Sequence, residues 1–267
     1  MQEGKRIYFA SDFHLGIDAK LTSKEREKKI VRWLDEIKND AHEIYLVGDV
    51  FDFWFEYTSV VPKGYVRLLG KLAELRDLGI PIYFFIGNHD MWMFTYFEKE
   101  FGIPIIRQPI TKEINGKTFF IGHGDGLGPG DYGYKFIKKV FANKICQWLF
   151  ARLHPNFGIW LANFWSQKSR AVSPAALKWL GDENEWLLSY CQKKLDEVPA
   201  DYFIFGHRHL PIDYTLKNGK SRYINIGEWM FACSYAVFDG ENLKIEFFEN
   251  EEGEVYFNEE IKMMNDE

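Results

Sequence analysis

Cysteine is scarce: Cys146, Cys191 and Cys233 stand far apart among 267 residues, with no CxxC pair. An odd, dispersed set of this kind excludes a disulfide framework and fits a reducing, cytoplasmic setting. Long hydrophobic runs are missing as well. The most apolar stretch, 147–165, is interrupted by Arg152, His154 and Pro155, so no segment is expected to cross a membrane. The opening MQEGKRIYFASD has no basic region, apolar stretch and small-residue cleavage site of a secretory signal, and leads directly into a strand pattern. Positive charge is in deficit: 33 Lys and Arg face 39 Asp and Glu, a net −6 that argues against a dedicated nucleic-acid binder. A fixed-period repeat and a low-complexity linker are both absent, which favours one domain over two.

Aromatic residues, by contrast, are abundant. Phe, Tyr and Trp make up 18% of a chain whose 46% hydrophobic and 27% charged residues are otherwise ordinary for a globular protein. In the first 125 residues short apolar runs (RIYFAS, EIYLVGD, PIYFFIGN) alternate with helical patterns at 22–39 and 62–78, a βαβ rhythm. Thr22 and Glu25 form a capping box, Ile30, Trp33, Leu34 and Ile37 keep helical spacing, and Pro62 suits a first helical turn. The runs IYLV and IYFFI are continuous, as expected for strands buried on both faces. KTFFIGHGD follows the Asn115-Gly116 turn. A helix is expected over 174–195, and strands return in YFIFGHRH, RYINIG, YAVFD and LKIEFF.

Five chemically loaded clusters stand where strand patterns end: Asp12-Phe13-His14, Gly48-Asp49-Val50-Phe51-Asp52, Gly87-Asn88-His89-Asp90, Gly122-His123-Gly124-Asp125 and Gly206-His207-Arg208-His209. Each alone is an ordinary turn or a histidine that satisfies a backbone group after a strand. The carboxyl ends of parallel strands converge on one rim, however, so five clusters can assemble into one site. Asp, Asn and His without thiolate suit Mn, Zn, Fe or Co, and seven candidate ligands exceed what one ion uses. Two ions sharing a carboxylate would activate water and stabilise phosphoryl oxygens, which points to hydrolysis of a phosphate ester or anhydride.

The ordered motifs D-x-H, G-D-x-x-D, G-N-H-D, G-H and G-H-x-H resemble those of the calcineurin-like metallophosphoesterases, over residues 7 to about 228 apart from one inserted stretch. The resemblance implies an α/β chain of the four-layer α+β type, its β-sheets sandwiched between helices, with an inserted helical cap. It also implies that Asp12, His14 and His209 hold one metal, that Asn88, His123 and His207 complete a second, and that Asp49 bridges them. His89 would steady the phosphoryl oxygens or protonate the leaving group, oriented by Asp90, while Asp52 and Asp125 would support the ligands or simply bond their own turns. GDVFDFWFEY, GNHDMWMFTYFEKEFG and HGDGLGPGDYGYK are similar to the branch that cleaves the pyrophosphate of a UDP-linked diacylated glucosamine lipid in lipid A synthesis, usually with manganese. That branch carries Arg at the third place of G-N-x-D, where this chain has His89.

Residues 131–173 read as a helical lid inserted in a domain formed by 1–130 and 174–267. From 131 to 170 seven basic residues (Lys135, Lys138, Lys139, Lys144, Arg152, Lys168, Arg170) face one acid, Asp131, and ten of the 47 aromatics fall in the same span. Such a cap suits an anionic lipid and an anionic membrane surface, placing the chain peripherally on the cytoplasmic face of the inner membrane. The plainer reading is that the rings pack against the sheet and the lysines are merely solvated. Within the cap the resemblance implies substrate contacts for Asp131 and Tyr134, and less directly for Lys168 and Arg170. Two other functions compete: a phosphoesterase for a soluble nucleotide or phosphodiester, and a non-catalytic scaffold, which retention of all seven ligands disfavours.

Overall fold

The computed structural model describes residues 1–128, 130, 132–169, 179 and 181–251, without the side chains of residues 163 and 165–169. Two mixed sheets pack face to face. In the first, β1 (Arg6–Ala10), β2 (Ala41–Val47), β3 (Ile82–Phe85) and β4 (Ile105–Ile106) run parallel, and β10 (Ser234–Phe238) and β11 (Leu243–Phe247) continue antiparallel, in the order β11-β10-β1-β2-β3-β4. The second is ordered β5 (Ile110–Ile114), β6 (Lys117–Ile121), β7 (Tyr202–Phe205), β9 (Arg222–Ile226), β8 (Pro211–Thr215), with β6, β7 and β9 parallel and the two edges antiparallel.

The pleat explains the layering. Along β2, Ile44 and Leu46 point outward to a core shared with α1 (Ser23–Ile37) and α2 (Val66–Asp77), while Tyr45 and Val47 point inward to the second sheet. Ile7, Phe9 and Phe85 meet Phe119, Ile121, Ile204 and Ile224 in the space between sheets, with the rings of Phe9 and Phe119 stacked 6.1 Å apart. Each such side chain taken fully from water contributes roughly 1.5–3 kcal/mol. The short α3 (Tyr96–Phe101) adds Phe97 to the outer core, and α7 (Trp186–Leu195) covers the far face of the second sheet through Leu187, Leu188 and Cys191. The order helix, sheet, sheet, helix is the expected four-layer class.

Local signals are realised unevenly. The Thr22–Glu25 capping box forms, and Ile30, Trp33, Leu34 and Ile37 make the buried stripe of α1. Pro62 does not open α2. The helix starts at Val66 after Tyr65, which adopts a left-handed φ of 57° and supplies no side-chain cap. Of the helix expected over 174–195, the described part is α7 from Trp186, preceded by a turn at Asp182–Asn184; residues 174–178 and 180 lie outside the described residues. Strands β5 and β8 carry too little apolar alternation to announce themselves and are held as edges by their neighbours.

Between β6 and α7 the chain forms α4 (Tyr132–Ala142), α5 (Lys144–Phe150) and α6 (Pro155–Ser169). No residue of α4 or α5 is fully buried. Phe141, Phe150 and Ile159 pack onto Phe53, Phe55, Met91 and Trp92, and Trp92 Nε1 donates to the Phe141 carbonyl at 2.8 Å. Six other rings are exposed, among them Tyr132 (82%), Phe136 (68%) and Trp160 (59%). The core-packing reading therefore holds for two rings of the segment and fails for most of the rest. Among the described residues no helix is long and apolar enough to cross a membrane. All three cysteines are free.

Candidate metal centre

The rim is built by both sheets. Loops after β1, β2 and β3 bring Asp12, His14, Asp49, Asn88 and His89, and loops after β6 and β7 bring His123, His207 and His209. Backbone hydrogen bonds sew the loops together: Asp12 N to Gly48 O (3.0 Å), His14 N to Asp49 O (3.0 Å), Gly206 N to His123 O (3.0 Å) and Trp229 N to Asp12 O (3.1 Å). Nine non-glycine residues among those described have positive φ, and five belong to the expected ligand set: Asp12 (55°), His14 (44°), Asp49 (51°), His207 (66°) and His209 (58°). The left-handed region costs an L-residue roughly 1–2 kcal/mol. Strain concentrated in this way marks a site whose geometry is imposed by its surroundings. Close approach is imposed too: a methyl group at Gly87 would fall on the Asp49 carboxylate.

Three donor groups result, each with its ligand atoms within 4.8 Å of one another: Asp12, His14 and His209; His14, Asp49 and His89; Asp49, His123 and His207. Asp49 belongs to two of them. His14 and His209 aim Nε2 atoms at each other across 3.1 Å, and Asp12 Oδ1 lies 3.1 Å from His209 Nε2. His123 donates from Nδ1 to the Val47 carbonyl at 2.8 Å, which fixes its tautomer and leaves Nε2 facing Asp49 Oδ2 (3.2 Å) and Asn88 Oδ1 (3.3 Å).

Burial opposes every charge here, and the partners decide the outcome. Desolvation would lower His14 and His123, yet His14 is raised to about 10 by hydrogen bonds to Asp12 and Asp52 and by the field of Asp49. His123 is raised to about 10 chiefly by Asp49. Against the same desolvation, Asp12 and Asp49 are held well below the ordinary carboxylate range, Asp12 mainly by His209 and His14, Asp49 mainly by His123 and His89. Burial, then the neighbouring His123, depresses His207 to about 4. Protons thus stand in where a cation would neutralise the carboxylates. Asp12 Oδ1 and His14 Nδ1 are buried without a well-directed hydrogen bond, held only by the ion-pair approaches of His209 Nε2 (3.1 Å) and Asp52 Oδ1 (3.5 Å). Clustered imidazoles and carboxylates with orphaned buried atoms fit divalent transition-metal ions bound through nitrogen and oxygen.

The two residues expected to act together are held apart. The carboxylate of Asp90 accepts from the backbone N–H of Gly87 (2.7 Å) and Val50 (2.8 Å), bracing the loops of Asn88 and Asp49; it does not orient the His89 ring. Burial and the charge of Asp49 raise its pKa to about 7. His89 instead directs Nδ1 to the Asp52 carbonyl at 3.0 Å, and Asp52 Oδ1 lies 3.5 Å from His14 Nδ1. Asp52 is therefore the acid that faces both rings. Tyr134 donates to Asp125 Oδ2 at 2.6 Å, its ring 6.5 Å from that of His207, and Lys138 Nζ lies 2.6 Å from the same Asp125 oxygen. Asp131, Arg170 and the side chain of Lys168 lie outside the described residues.

Sequence reasoning passed over two supports. Arg26, fully buried on α1, donates to the carbonyls of Phe13 (2.8 Å), His14 (2.7 Å), Ile17 (2.6 Å) and Leu21 (3.1 Å), and so holds the loop that carries His14. Its signal was present: a charged residue four and seven positions before Ile30 and Trp33, on the apolar stripe. Glu228, after β9, accepts from the amides of Phe231 and Ala232 beside His209, and no local pattern announces it.

A four-layer fold with this rim defines a metal-dependent phosphoesterase, and the chain belongs to the calcineurin-like phosphoesterase family, whose model matches residues 5–211. Within that class it is 40% identical to UDP-2,3-diacylglucosamine hydrolase of Porphyromonas gingivalis, over 92% of this chain and 99% of the relative. It is 28% identical to the enzyme of the same name from Aeromonas salmonicida (86% and 88% covered) and 29% to that of Proteus mirabilis (83% and 90%). The family and its His/Asp clusters imply divalent metal ions.

Proposed function

We propose that this chain hydrolyses the pyrophosphate of UDP-2,3-diacylglucosamine to UMP and 2,3-diacylglucosamine 1-phosphate in lipid A biosynthesis, using two divalent ions, manganese before others. Asp12, His14 and His209 would hold one ion, Asn88, His123 and His207 the other, and Asp49 both. The bound pair supplies an activated water at neutral pH and neutralises phosphoryl oxygens. His89, steadied by the Asp52 carbonyl, serves the phosphoryl oxygens as a hydrogen-bond donor, and Asp90 serves catalysis by fixing the loops of Asn88 and Asp49.

The observation that carries the lipid substrate is the segment above the rim. An open groove of about 450 Å³ is lined by apolar surface of Tyr132, Phe136 and Ala142 and edged by Lys135, Lys138 and Lys139. Gly126 and Lys138 line it, and Lys138 Nζ lies 2.6 Å from Asp125, two residues from His123, so an acyl chain and a pyrophosphate would be held together. Residues 131–173 act in this reading as a lid on the domain formed by 1–130 and 174–267, with Tyr134, Asp131, Lys168 and Arg170 toward the substrate. The outward ladder Phe157, Trp160 and Phe164, ring centroids 5.8 and 6.0 Å apart, would meet the anionic cytoplasmic face of the inner membrane.

The test compares UMP release from the diacylated substrate with release from unacylated UDP-glucosamine. A large preference for the acylated form is expected; equal rates would point to a soluble nucleotide. In heavy-oxygen water with Mn²⁺ the label is expected in UMP, and label confined to the lipid phosphate would contradict attack on the uridylyl phosphorus.

A further inference from the structure

Arg208 separates His207 from His209, and its own side chain faces the opposite way. Both histidines have left-handed φ, 66° and 58°, which turns the imidazoles to the rim and sends Arg208 into the protein, where it is 4% exposed. There its guanidinium meets Glu185, itself fully buried: Nε lies 3.2 Å from both carboxylate oxygens and Nη2 2.9 Å from Oε1, above the ring of Trp186 at 5.6 Å. Glu185 occupies the N-cap position of α7, yet its side chain makes no cap hydrogen bond there. The carboxylate faces Arg208 instead.

The same turn of α7 supports the other histidine loop. The Trp186 carbonyl would lie 2.7 Å from a methyl group at Gly128, and Leu127 packs on the cluster that contains Leu187. One helix start therefore underlies both His123–Gly128 and His207–His209. A buried ion pair is poor evidence of stabilisation, because apolar side chains of equal volume usually serve at least as well. What it supplies is a fixed, bidentate geometry.

We infer that Glu185 and Arg208 are positioning residues, which hold the strained His207-Arg208-His209 backbone so that each imidazole reaches a different ion. The inference rests on the two-ion reading of the rim. Its test is the double variant Glu185→Met/Arg208→Met, which replaces the pair by apolar side chains and is expected to keep the wild-type Tm or raise it. Calorimetric titration with Mn²⁺ should show affinity weakened at least tenfold, and at saturating Mn²⁺ kcat should fall at least tenfold with KM for the nucleotide lipid little changed. Arg208→Lys, which keeps charge but loses the fork, should weaken Mn²⁺ in the same direction and covers the case in which the double variant does not fold. Wild-type Mn²⁺ affinity in either folded variant would overturn the inference. A wild-type chain that bound no Mn²⁺ in the same titration would instead overturn the two-ion reading.

Discussion

At the scale of single residues the rim is a balance of buried charges. Asp49 touches His123 and lies between the donor groups, so Asp49→Ala or His123→Ala should abolish turnover while leaving the far-ultraviolet circular dichroism unchanged. Residual activity near wild type in either would remove the proposed mechanism. Protonation gives a second handle. His14 and His123 are raised to about 10 without metal, so near pH 7.5 ion binding must displace protons from them. Titrations with Mn²⁺ in buffers of different ionisation enthalpy should register that release, and affinity should climb as pH rises towards 10. The sign for stability is opposite. A folded pKa above the ordinary 6.5 gives stability fully present below about 6.5 and lost as pH rises through about 10, so these two groups make the metal-free protein less thermostable across that interval. Metal-free Tm values insensitive to pH from 7 to 10 would contradict the assignment.

At the scale of elements, the metal loops depend on what lies beneath them. Phe13 sits between Asp12 and His14 and packs edge-on against Trp33 of α1 (6.5 Å) and Trp229 (5.3 Å). Trp33 is fully buried and also contacts Tyr8 and Tyr235. Trp33→Ala is expected to cost about 3–5 kcal/mol in urea unfolding, as large aromatic truncations in packed cores do, and to weaken Mn²⁺ binding through the loosened Phe13. Stability lost with Mn²⁺ affinity intact would show that the loop stands without its helix. The strands and α1 were legible in the sequence because their apolar spacing is local and strong. The starts of α2 and α7 were not: Pro62 fits a helix start or a loop equally well, and the turn before Trp186 has a composition that a helix would also accept.

At the scale of the whole molecule, net charge conceals a division. The segment 131–170 carries seven basic residues against one acid, while 239–267 carries eleven acids against Lys244 and Lys262. An acidic protein can therefore present a basic, aromatic face to an anionic surface. Replacing Lys139, Lys144 and Arg152 by Gln should weaken association with anionic liposomes, roughly fivefold per charge at low salt and much less at high salt. Sedimentation of vesicles measures it, and unchanged binding would return the cap lysines to simple solvation.

The sequence alone determined the chemistry: five apolar runs each ending in Asp, Asn or His, and a basic aromatic stretch between the fourth and fifth. Those signals are local, because strand periodicity and ligand type are written within a few residues. Only the tertiary structure decided that the five ends come from two stacked sheets, and that Asp52, not Asp90, faces the His89 ring. It also decided that Phe141 and Phe150 are anchors while Tyr132, Phe136 and Trp160 face outward. Arg26, Glu185 and Arg208 acquire meaning only there. Their partners are backbone carbonyls and a carboxylate brought near by folding, and no spacing along the chain encodes which buried charge will find which partner.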